Sequence, residues 1–133
     1  MLSPTDRLDI SDLVVRADSL ATLRDADGYA ALFTSDAVLD GAEGVHQGSE
    51  GIRNDVAPIW SGEGGVSLHL SLNVEVREVP GNLNAATANS VLVILAEEGA
   101  TAVRSVSLIE QEFVRDGESW KISRRTVKPV TSA

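Results

Sequence analysis

From Val66 to Arg77 apolar and polar side chains alternate without a break. Val66, Leu68, Leu70, Leu72, Val74 and Val76 fall on one face; Ser67, His69, Ser71, Asn73, Glu75 and Arg77 fall on the other. A period of two is that of a β-strand, whose successive side chains leave opposite faces of the sheet. A face carrying an imidazole, two hydroxyls and an amide is not a purely apolar core. The aliphatic face needs cover as well. The pattern therefore predicts a strand that separates a polar-lined pocket from a second buried contact.

The segments before it read as helices. Ser3-Pro4-Thr5-Asp6 supplies a hydroxyl cap, proline in the first turn and an acid near the positive helix end. Leu8, Ile10, Leu13, Val14, Ala17, Leu20 and Ala21 then recur at helical spacing, with Asp9, Asp12, Arg16 and Ser19 mostly opposite. Asp25 or Asp27 caps a short second helix running through Tyr29, Ala30, Leu32 and Phe33. Short strands follow at Ala37-Val38-Leu39 and around Val45. Gly48-Ser49 then opens a third helix bearing Ile52, Val56, Ile59 and Trp60, which Pro58 distorts or ends. The glycine-rich stretch 61–65 lacks the lysine and spacing of a phosphate-binding loop and reads as a connector.

Three more long strands come after the alternating one: Ala85 to Leu95, Ala102 to Arg115 and Trp120 to Lys128. The turns between them, Pro80-Gly81-Asn82, Glu97-Glu98-Gly99 and Asp116-Gly117, imply antiparallel hairpins. Helices first and a long sheet second is an α+β order. With no repeat and no interdomain linker, residues 1–133 form a single domain. The expected architecture is three N-terminal helices packed on a strongly curved, mixed but mostly antiparallel sheet, a cone with an internal pocket.

Composition narrows the chemistry. A net charge of −9 with only 11 Lys and Arg disfavours nucleic acid and an anionic membrane surface. The acids are scattered, as on a solubilising surface. The lack of cysteine excludes disulfides, thiolate nucleophiles and Cys-ligated metals. His46 and His69, the only histidines, stand at no metal-binding spacing. No dinucleotide, metal or phosphate motif appears, so no cofactor is expected. The N-terminus has no basic segment followed by an apolar run, and no stretch approaches membrane-spanning length; cytoplasmic residence is the default expectation. Tyr29 is the only tyrosine, so any mechanism that needs a buried phenol must use it.

Several strings, in order, resemble the nuclear transport factor two-like superfamily in its SnoaL-like branch. Arg16, Arg24-Asp25, Ala30-Ala31-Leu32-Phe33 and Asp36-Ala37-Val38 resemble that family's first two helices and entry strand. Gly48-Ser49-Glu50-Gly51-Ile52 resembles its third helix start, and His69-Leu70-Ser71-Leu72-Asn73 its histidine-to-asparagine string on the third strand. Phe113, Asp116-Gly117, Trp120-Lys121-Ile122 and Arg125 resemble its closing hairpin. The resemblance implies a cystatin-like α+β fold and leaves function open, because this fold hosts isomerases, dehydratases, cyclases, epoxide hydrolases and non-enzymatic modules.

The departures matter as much. Ala17 stands where ketosteroid-isomerase-like members place a tyrosine, Gly41 near their general-base carboxylate, and Ile109 near their second oxyanion-hole acid. Ala21 and Thr22 replace the Tyr-Asp pair of scytalone-dehydratase-like members, of whose set only His69 remains. No Arg-x-Asp of the limonene-epoxide-hydrolase type is present.

His69 is thus the first candidate for proton transfer, since an imidazole titrates near neutral pH; a purely structural histidine is the alternative. Asp18, at the edge of the helix-one stripe, could orient it, although a solvated helix-side acid is the more frequent case. Ser71 and Asn73 share the face of His69 and could present polar groups to a substrate. If the family orientation holds, Ser105, Ser107 and Gln111 also point inward. Trp60 and Phe33 could wall the pocket, though large aromatics at helical positions are usually core. Asp40 reads as a turn residue near the family's base position, Trp120 as hairpin core, and His46 as exposed and without a role.

Two functions remain open. One is a cofactor-independent isomerase, cyclase or hydratase/dehydratase acting on a hydrophobic small molecule. The other is a non-catalytic ligand-binding or dimerisation module on the same scaffold. The aliphatic face of Leu68, Leu70, Leu72 and Val74 calls for a homodimer through the outer sheet face, which is also the habit of the family.

Overall fold

The computed structural model describes residues 1–41, 44–62, 67–97 and 101–132. Three helices, α1 (Pro4–Leu23), α2 (Ala26–Ala30) and α3 (Gly48–Gly62), lie among six strands. These are β1 (Phe33–Gly41), β2 (Gly44–Gln47), β3 (Ser67–Val79), β4 (Asn82–Glu97), β5 (Thr101–Asp116) and β6 (Ser119–Ser132). They form one sheet in the order β2-β1-β6-β5-β4-β3. All pairs are antiparallel except β1 with β6. The α+β architecture agrees with the sequence expectation, and the long strands begin and end close to where alternation places them.

Helix α1 starts as its sequence dictates. The Ser3 hydroxyl accepts from the Asp6 N–H at 3.0 Å, with proline in the first turn. It ends at Arg24, whose φ of 57° turns the chain sharply. The α1 stripe Ile10, Leu13, Val14, Ala17, Leu20 joins Phe33, Ala37, Ile52, Phe113, Trp120 and Ile122 in one core between the helices and the concave sheet face. Helix α3 begins at Gly48, where φ is +78° and a Cβ would meet the Ser35 carbonyl oxygen at 2.9 Å, so glycine is required there.

Two local expectations are corrected. The second helix ends at Ala30, and Phe33 instead opens β1, where it pairs with Ile122 of β6. Pro58 lies inside α3, which continues to Gly62; residues 63–66 of the connector, Val66 among them, lie outside the described residues, as do Glu98 and Gly99 of the next turn.

The larger correction concerns β3. Between Leu72 and Glu75 the register slips against β4, and Asn73 takes φ 53°. This bulge exchanges the two faces. Before it, Leu68, Leu70 and Leu72 face outward and are exposed. After it, Val74 and Val76 pack against the core, while Glu75 and Arg77 reach solvent. Val74 therefore leaves the outer aliphatic face to which strict alternation assigned it.

Asp6 ties the start of α1 to the β5–β6 hairpin. It accepts from Arg115 at 3.0 Å and from the Trp120 indole at 3.2 Å, with the Arg115 guanidinium 4.5 Å from the Trp120 ring. The Arg115 hydrogen bond, then that of Trp120, holds its carboxyl at about 2 instead of the ordinary 3.8. A depressed folded-state value stabilises the fold above the unfolded value, and that contribution is lost as pH falls through about 2. Asp6→Asn is therefore expected to lower urea resistance at pH 6 and to match the wild type near pH 2. Equal separation of the two curves at both pH values would contradict this.

Candidate functional site

Helix α1 crosses the inner face of β3, and two rungs connect them. Four helical residues rise about 6 Å, and two strand residues span about 6.6 Å, so Asp18 and Thr22 stand over Ser71 and His69. The Ser71 hydroxyl donates to Oδ2 of Asp18. The His69 backbone N–H donates to Thr22 Oγ1 at 2.8 Å, and that oxygen sits 3.5 Å from His69 Nδ1, at the limit of hydrogen bonding.

Asp18 is 1% exposed and belongs to a buried polar group. Arg125 of β6, 3% exposed, donates from Nη2 to Asp18 Oδ1 at 2.7 Å and from Nη1 to Gln111 Oε1 at 3.2 Å. Burial alone would lower the Arg125 guanidinium, but Tyr29 and then the Asp18 carboxylate beside it leave it raised. Arg125 is a permanent cation whose charge is answered inside the fold.

Beside this pair lies a cavity of about 180 Å³. Its walls are mostly apolar: Ala21, Leu39, Val56, Ile59, Trp60, Leu92 and Val127. Polar groups reach it from Tyr29, Arg125, His69, His46 and Asp55. The Tyr29 ring stands 5.1 Å from those of both Phe33 and Trp60. Burial pushes its phenol above the ordinary value of 10.0, so it remains a hydrogen-bond donor at neutral pH. A few polar atoms in an apolar concavity is the usual composition of a small-molecule site. Among the described residues, no group of three or more His, Asp or Glu converges so as to hold a metal ion. No helix among the described residues is long and apolar enough to cross a membrane.

The residues that the sequence pattern singles out fall into three sets by their distance from this cavity. His69 and Trp60 line it. Ser71, Ser107 and Phe33 are inward but beside it: Ser71 is bonded to Asp18, Ser107 is buried on β5 opposite Leu92, and Phe33 is core behind Tyr29. Gln111 is inward and buried, as the family orientation implied. Asp18 is not solvated, and its carboxylate is held by Arg125 and Ser71, while Thr22 stands at the His69 imidazole. Asn73 is not brought to the cavity, because its left-handed conformation at the bulge leaves it exposed. Asp40 pairs with Arg124 at 3.4 Å, partly exposed.

Sequence reasoning passed over His46, Asp55 and Tyr29 as site residues. His46 of β2 is not the exposed residue expected: its side chain is 20% exposed and its Nδ1 is held by Asp55 of α3. Nothing local signals that pairing. Tyr29 did carry a signal, as the sole phenol of a chain with few aromatics.

The SnoaL-like domain family model matches residues 3–126. Among solved structures, the chain is similar to a protein of unknown function with a cystatin-like fold from Nostoc punctiforme, at 24% identity and TM-score 0.87, covering 98% of this chain and 96% of that one. It is also similar to an NTF2-like protein with a cystatin-like fold from Novosphingobium aromaticivorans, at 21% identity and TM-score 0.81, covering 97% and 84%. A candidate scytalone dehydratase from Novosphingobium aromaticivorans aligns at 14% identity and TM-score 0.81, covering 96% and 85%. No curated protein matches the sequence.

Proposed function

We propose that this chain, which belongs to the SnoaL-like domain family, is a cofactor-independent enzyme that moves protons on a compact hydrophobic substrate. The observation that carries the reading is His69, an imidazole on the wall of an otherwise mostly apolar cavity, beside the phenol of Tyr29 and the guanidinium of Arg125. His69 would take or give the proton, and the donors Tyr29 and Arg125 would favour negative charge developing on a substrate oxygen. Trp60, Ile59 and Val56 would hold the apolar body. Isomerisation, cyclisation and dehydration all share that first proton transfer; the candidate dehydratase of the same fold is one example of the class.

The test is solvent-deuterium exchange into the C–H beside the carbonyl of a compact aryl ketone, 1-indanone, followed by NMR. Protein-dependent exchange that tracks His69 supports the reading, whereas binding of the ketone without exchange contradicts it. A second reading, a ligand-binding module, is favoured by one fact: the carboxylate of Asp18 is committed to Arg125 and so is withheld from catalysis.

We further infer a homodimer through the outer sheet face. Leu68, Leu70 and Leu72 pair across β4 with Leu95, Val93 and Val91, which pair in turn with Val103, Val106 and Leu108 of β5. Directly opposed residues share a face, so nine aliphatic side chains form a continuous patch, with Leu72 and Leu108 about half exposed. Each leucine withdrawn from water is worth up to about 1.5–3 kcal/mol, and a twofold axis would lay the patch on its own copy. Leu70→Glu is expected to yield a monomer by analytical ultracentrifugation at micromolar concentration. A wild type already monomeric there would overturn the inference.

A further inference from the structure

The chain has two histidines, and both line the same cavity. They come from β2 and β3, the two edge strands of the sheet, which the strand order separates by four others. His69 lines the cavity from the inner face of β3, and His46 reaches it with Gly41 and Gly44, which contribute no side chain. Asp55, on the α3 turn before Val56 and Ile59, pairs with His46 Nδ1. That bond fixes the ring and places a proton on Nδ1, so Nε2 is the atom left to address a ligand.

The charges around this point decide the ligand class. The groups that face the cavity with His46 are Asp55, Tyr29, Arg125 and His69. Asp55 brings a carboxylate next to the imidazole, and the charge of Arg125 is already answered by Asp18. An anionic ligand thus meets no unanswered cation among these groups, in a protein of net charge −9. A neutral hydroxyl meets the accepting Nε2 of an imidazole and an apolar wall of Val56, Ile59 and Trp60.

We propose that His46, held through Nδ1 by Asp55, is a second ligand-binding imidazole of the cavity, and that the cavity takes a neutral, compact, apolar molecule whose hydroxyl donates to Nε2 of His46. The proposal rests on the reading of this cavity as a small-molecule site and adds to it the polarity and placement of the ligand. Asp55 is a positioning residue: it orients the imidazole and does not touch the ligand.

The experiment uses the full chain, ¹⁵N-labelled in its two imidazoles, titrated with 2-naphthol and with naphthalene, which differ by one hydroxyl. 2-Naphthol is expected to shift the ring signals of both His46 and His69 and to bind about tenfold tighter than naphthalene, the effect of one good hydrogen bond. His46→Phe is expected to remove that preference, so that the two probes bind within about twofold of each other. Asp55→Ala, which removes the acceptor, is expected to abolish the Nδ1-protonated signature of His46 and to weaken 2-naphthol alone. Should His46→Phe fail to fold, His46→Leu and the wild-type shifts decide the matter. If 2-naphthol moves only the His69 signals, or the preference survives loss of the imidazole, the proposal falls and the cavity reading stands. If neither probe moves either ring, both fall.

Discussion

Asp18→Ala is expected to destabilise the fold by about 3–5 kcal/mol, the usual consequence of removing one member of a buried ion pair. The cause is the arginine left behind. Arg125 is 3% exposed, and without Asp18 it keeps only the Gln111 amide as a hydrogen-bond acceptor among its described partners. Against a typical total of about 5–15 kcal/mol for a domain, this is a large fraction, with a fall in Tm on the order of 10 °C. The pair as a whole is worth much less than its breakage suggests, because both groups were desolvated to make it. Asp18→Leu with Arg125→Met is therefore expected to recover most of the loss, measured by urea denaturation of the two single variants and the double. Additive losses in the double variant would show that the pair is strongly stabilising in its own right. A single-variant loss below about 1 kcal/mol would show that Arg125 finds water or another anion.

His69→Gln is expected to reduce exchange into 1-indanone by about 10²- to 10⁴-fold, the range associated with a positioned general acid or base. Glutamine retains polarity and approximate size but cannot take a proton near neutral pH. The backbone N–H of residue 69 still donates to Thr22, so the α1–β3 contact survives and the melting temperature should move little. That combination separates chemistry from scaffold. A variant that keeps full exchange eliminates proton transfer by this ring. A variant that loses stability in step with activity marks the histidine as structural. Both outcomes differ from that of Asp18→Ala, where stability falls first and any activity follows it.

The sequence made the inward face of β3 legible through His69 and Ser71, as far as Leu72, because alternation has one solution once a leucine face and a polar face are distinguished. It stopped being legible at the bulge, which inserts a residue without changing the apparent pattern. A hint was nevertheless present. Unbroken alternation would have carried Glu75 and Arg77 into the same interior as His69, two charges with no partner provided there. An asparagine, one of the few residues that tolerates a left-handed backbone, stood just before them.

The Asp18–Arg125 pair lay beyond reach for a different reason. Its members are 107 residues apart, and Asp18 alone looks like any acid at the edge of an apolar stripe. His46 and Asp55 come close only because β2 and α3 pack over the end of the sheet. Fold class was therefore readable from local periodicity, whereas the polar half of the cavity is a product of tertiary contacts between groups that are individually unremarked.

The bulge on β3 behaves as a one-residue frameshift in which way side chains look. Everything upstream is set in one phase, with leucines to the outside and the imidazole to the inside, and everything downstream in the other. Deleting Asn73 would remove the surplus residue and leave a regular strand, with Val74 and Val76 still against the core and Glu75 and Arg77 still toward water. Flattening the bulge with the residue retained is what would turn the valines out. Conformation is consequently what this stretch depends on: the left-handed turn at Asn73 absorbs one surplus position and lets both halves of the strand keep their own side chains on the right side.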